Sequence, residues 1–178
     1  MKKIFISAFF TTMMFTQSAN SAGTSWIASD YPPNPDMPEI EQAQKWALCA
    51  ATLEVFADVT REQLKKPATA DTIQSYASGA KTAILGVFLI GLPMKIEGKS
   101  DAEAQSIFEK TRQYAAMASE SFPKLKKREI MSRFELTANT AALVEDLSAS
   151  AAACLKKDVL IMQQNYIDIV REVFLGVK

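Results

Sequence analysis

Apolar and small residues recur at intervals of three and four from Ile40 onward: Trp46, Cys49, Ala50, Leu53, Phe56, Ala57, Thr60 and Leu64. At 3.6 residues per turn these positions share one face, so the spacing predicts a first helix that ends before Pro67. Asp36 with Glu39 three residues later has the form of a capping box, and Pro38 inside the first turn needs no donor there. A second helix is expected from Asp71, with Ile73, Tyr76, Ala77, Ala80 and Ile84 on one face. Its amphipathic pattern then dissolves into "TAILGVFLIGLPM", which carries no charge between Lys81 and Lys95.

A helix that is apolar all round is either a buried central helix or a contact surface. Val87, Phe88, Leu89, Leu92 and Met94 are therefore candidates for core or for an apolar patch that meets a membrane or partner. The uncharged stretch by itself is too short to span a bilayer. Gly86, Gly91 and Pro93 weaken the helix towards its end.

Gly98 punctuates the chain, and Ser100 with Glu103 forms a second capping-box pattern. It opens a helix with Ile107, Phe108, Tyr114, Ala115 and Ala118 on its apolar face, expected to run to about Ser121 and to stop at Pro123. From Lys124 the pattern stays helical almost to the end, too far for one helix of a small bundle. A break is expected between positions 147 and 159, at Ser148 or Ser150 or with Asp158 as a new N-cap. Alternation of period two is nowhere sustained. The fold class is thus all-α, an up-down bundle of four to five helices over residues 39–178.

The first residues add a compartment. Lys2 and Lys3 precede an uncharged, mostly apolar run over residues 4–15, and small residues follow at Ser21 and Ala22. This is the pattern of a signal peptide, residues 1–22, cleaved on export to a periplasmic or secreted location. Residues 23–38 form a proline-rich extended arm with Pro32, Pro33, Pro35 and Pro38. Its Trp26, Ile27 and Tyr31 carry apolar surface that suits docking on the bundle itself or on a second copy.

Export changes the meaning of the two cysteines. In an oxidising compartment a pair of cysteines is normally a disulfide, so Cys49 and Cys154 are expected to bond. No metal site is expected, because the chain has no histidine to complete a ligand set with two thiolates.

The missing histidines also remove the usual general base and the familiar triads, and no cofactor motif is present. Glu54 and Asp58 sit one turn apart, as do Glu41 and Lys45, spacings that suit solvated ion pairs on a helix face. Lys124, Lys126, Lys127 and Arg128 cluster after Pro123. Read as a helix start, this basic patch runs against the helix dipole and suits acidic headgroups or an acidic partner. Nucleic acid is not an expected partner. The chain has 20 basic and 20 acidic residues, and losing the two leader lysines leaves a formal charge of −2.

The function expected from these features is protein–protein binding in the cell envelope, as an inhibitor or immunity-type protein or as a secretion or assembly adaptor. The alternatives are a carrier of lipid or another small apolar ligand, and an enzyme built on carboxylates. No transmembrane segment is expected in the mature chain.

Overall fold

The structure is a computed structural model that describes Pro33, residues 36–136 and residues 140–175. The expected signal peptide, and the arm apart from Pro33 and residues 36–38, lie outside the described residues. Six helices follow in order: α1 Glu39–Glu62, α2 Pro67–Ile90, the single turn α3 Leu92–Ile96, α4 Asp101–Leu136, α5 Thr140–Cys154 and α6 Lys157–Leu175. Among the described residues there is no strand, and the chain forms an all-α bundle.

α1 is the most enclosed element. Its apolar face was expected to be a stripe, but Ala43, Ala47, Ala50, Ala51 and Ala57 are all buried beside Trp46, Leu48, Cys49, Leu53 and Val55. Small side chains let neighbours approach α1 from several sides, and α2, α4 and α5 all do so. Asp36 is not the N-cap expected at its start: that position is Pro38, whose ring offers no atom for a side-chain cap, and the Glu39 carboxylate accepts two 2.8 Å hydrogen bonds from Lys95 Nζ.

Four residues turn the chain from α1 into α2. Within that turn Lys65 has φ +55°, in the left-handed region that glycine tolerates best. α2 begins at Pro67, four residues before the expected start at Asp71. Proline in the first turn lacks only a donor that would be idle there, and its fixed φ already suits a helix, so it initiates the element it was expected to precede. Pairing of Asp71 with Arg61, Lys81 with Glu54 and Lys95 with Glu39 shows that α2 runs antiparallel to α1.

The uncharged stretch lies mostly inside. Val87, Phe88, Leu89 and Leu92 are buried, whereas Met94 is 76% exposed and Ile90 53%. The helical stretch Pro67–Ile96 is long and apolar enough to cross a membrane by length and composition, longer than the uncharged segment alone indicated. In the bundle 56% of its most apolar 18 residues is buried.

α4 departs furthest from expectation. Its capping box forms: the Ser100 N–H and hydroxyl donate to Glu103 Oε2 at 3.0 and 2.7 Å. The helix then passes through Pro123 instead of stopping there. An interior proline removes one helix hydrogen bond and crowds the preceding turn, at a cost of about 3 kcal/mol. The Pro123 ring is fully buried, and its packing offsets part of that cost. At 36 residues α4 is about 54 Å long. It overhangs the 24-residue helices beside it.

The expected break appears as the turn at Leu155 and Lys156, immediately after Cys154. Ser148 and Ser150 are inside α5, and Asp158 lies in the first turn of α6 instead of capping it. α6 lies along α2 and advances in the same direction. A Cβ on Gly79 would meet the Gln163 side chain, and one on Gly86 would meet Tyr166. The larger core cluster gathers Trp46, Leu53, Ile84, Val87, Val159 and Tyr166 from α1, α2 and α6, with Ala115 and Ala118 of α4. A second, made of Leu48, Ala51, Val55, Ile130 and Leu147, joins α1 to α4 and α5.

Candidate functional site

Cys49 and Cys154 are bonded, with Cα atoms 5.7 Å apart and both side chains buried. The bond joins the middle of α1 to the last residue of α5, so it fastens the frame and offers no thiol. Of the apolar candidates, Val87, Phe88, Leu89 and Leu92 are core residues, and only Met94 stands in solvent.

The four basic candidates do not act together. Because α4 continues through Pro123 they lie in mid-helix, so the expected conflict with a helix dipole does not arise. Lys124 pairs with Glu120 at 3.1 Å and Lys126 with Glu129 at 2.9 Å, both along the exposed surface of α4. Lys127 turns inward to α1, 3.1 Å from Asp58 and 3.5 Å from Glu54. Arg128 points outward, with no ion pair among the described residues.

The turn-spaced carboxylates Glu54 and Asp58 converge on these cations. Glu54, only 14% exposed, lies between Lys81 of α2 and Lys127 of α4, and Arg61 links Asp58 to Asp71. Burial works against the Lys127 ammonium, but its hydrogen bond to Asp58 and the charges of Asp58 and Glu54 outweigh burial and hold its pKa above the ordinary lysine value. Through these ion pairs the cluster ties α1 to both α2 and α4. Glu41 and Lys45 lie elsewhere. With Pro38, Ile40, Gln44, Leu48 and Lys126 they line a shallow cleft of about 530 Å³ between α1 and α4.

A second polar group sits inside the core. Tyr166 donates its hydroxyl to Gln42 Oε1 at 2.7 Å, and its ring meets Trp46 edge-on with centroids 6.1 Å apart. Burial pushes the Tyr166 pKa up, and the bond to Gln42 opposes this only partly. Among the described residues no group of three or more histidine, cysteine, aspartate or glutamate side chains is placed to hold a metal ion.

The feature missed from sequence is the outer face of α4. Positions 110, 114, 117, 121, 125, 128, 132 and 136 follow one another at three- and four-residue steps and share one side of the helix. On that side Met117 and Leu125 are each 53% exposed and Leu136 86%, with Met131 beside them at 44%. The signal was present in the spacing, but ending the helix at Pro123 cut the stripe in two. Exposed methionine and leucine on one rigid helix form a surface suited to packing against another chain. No known protein family, curated protein or solved structure matches the chain.

Proposed function

We propose that this protein is exported and works by binding another protein in the cell envelope, with the outer face of α4 as the contact surface. The observation that carries this reading is the row of exposed apolar side chains, Met117, Leu125, Met131 and Leu136, along one long helix of a disulfide-fastened bundle. The signal-peptide pattern of residues 1–22 supports export, and the disulfide suits an oxidising compartment. Binding is favoured over catalysis because Glu54 and Asp58, the paired carboxylates, are held by Lys81, Lys127 and Arg61. It is favoured over ligand carriage because Val87, Phe88, Leu89 and Leu92 fill the core instead of lining a cavity. An inhibitor, an immunity-type protein and an assembly adaptor all work this way.

The test is affinity capture from the exported fraction with the mature chain and with a Met117→Asp/Leu125→Asp variant, both positions being exposed and so compatible with an unchanged melting temperature. A stoichiometric partner held by the parent and lost by the variant is the expected result. Identical captures by both, or a lipid released from the native protein in mass spectrometry, would sink the reading.

A further inference from the structure

The charge around the α4 stripe is not the charge of the molecule. Residues 110–136 hold seven basic and three acidic residues, in a chain whose 20 basic and 20 acidic residues balance. Lys127 spends its charge inward on Asp58 and Glu54, and Lys124 and Lys126 have exposed partners on their own helix. Lys110 and Arg128 are exposed, have no ion pair among the described residues, and stand on the same side as Met117, Leu125 and Leu136. Lys110 and Arg128 therefore set two positive charges beside the apolar row, although the charges of the chain as a whole balance.

From this we infer that the surface is built for an acidic polypeptide segment: one that lays apolar side chains on Met117, Leu125 and Leu136 and brings carboxylates to Lys110 and Arg128. The inference rests on the α4 face being the protein-binding surface, and adds the chemistry of its partner. Opposite charge across an interface steers encounter and rejects wrong partners, while the apolar contacts supply most of the hold. An anionic bilayer offers the same attraction but fits less well. Exposed Glu135 lies along the same stretch, where a lipid surface repels it and a polypeptide can meet it with a cation of its own. From position 117 to 136 the row spans about 28 Å, the length of a five-turn helix or a strand of eight or nine residues.

The experiment places a photo-crosslinking phenylalanine derivative at position 125 of the full chain in the cells that export it, with position 75 on α2 as the control, and identifies the adduct by mass spectrometry. We expect adducts from position 125 and not from 75, mapping to a segment of net negative charge. Their yield should fall about tenfold or more in a Lys110→Glu/Arg128→Glu background whose melting temperature is unchanged. Should that variant melt early, Arg128→Glu alone serves, since among the described residues Arg128 has no ion pair to lose. Adducts to a neutral or basic segment overturn the acidic partner and leave the binding surface standing. Adducts to lipid, equal adducts from both positions, or none overturn both.

Discussion

At Gly86 an added Cβ would stand 2.7 Å from the Tyr166 carbonyl oxygen and 2.6 Å from its Cβ, atoms that cannot yield without moving α6. At Gly79 it would meet the end of the Gln163 side chain, which can swing away at the loss of its 2.9 Å bond to the Tyr76 carbonyl. Gly86→Ala should therefore cost about 2–3 kcal/mol and Gly79→Ala about 1, compared by urea unfolding. Equal losses would mean that α2 and α6 are not in this register. Lys65 is the opposite case. Its left-handed backbone costs about 1 kcal/mol that glycine does not pay, so Lys65→Gly should stabilise by about 0.5 kcal/mol after the entropy of the freer chain is subtracted. None of these three sites was legible in the sequence, because each depends on what lies opposite or on one turn's dihedral angle.

Among the helices, interiors could be read and so could two boundaries, the end of α1 before Pro67 and the Ser100–Glu103 opening of α4, whereas the start of α2 and the run of α4 through Pro123 could not. The faces of α1 and α2 were visible in the spacing of Trp46, Leu53, Ile73 and Ile84, and all four are buried. Pro67 and Pro123 were both taken as barriers, yet one starts a helix and the other lies within one. Proline has opposite local meanings at a first turn and an interior, and only tertiary packing separates them. The cysteine pairing was legible because compartment and count left few alternatives, and it leads to a prediction at this scale. The bond links residues 105 apart, and Cys49→Ser, or reduction of the parent, should remove on the order of 4–5 kcal/mol of stability in the chain-entropy account. Thermal melts with and without reductant measure it. Unchanged melting on reduction would contradict the bond's place in the frame.

The behaviour of the whole molecule in alkali follows from two groups in different places. Both Lys127 and Tyr166 have pKa values raised by folding, so the folded chain holds these protons more tightly than the unfolded one. Their contribution is fully present below the unfolded values, about 10 for tyrosine and about 10.4 for lysine, and is lost as pH rises through the folded ones. Urea midpoints should therefore fall above about pH 10, and fall less in a Tyr166→Phe variant. A parent and variant with identical profiles would remove Tyr166 from the account. The candidate surface belongs to this scale as well. Met117 and Leu136 are commonplace residues singly; they fall on one continuous surface only because α4 runs unbroken between them and outreaches its neighbours.

The bond between Cys49 and Cys154 also divides the chain mechanically. α2, α3, α4 and α5 lie inside the covalent ring, while α6 and the first turns of α1 lie outside it. A force applied to the two ends bypasses the ring, which withholds roughly 360 Å of contour length from extension as long as the bond is intact. A protease that nicks the turn after α1 opens a cut without releasing a fragment. Through either insult α4 stays tethered to the rest of the bundle.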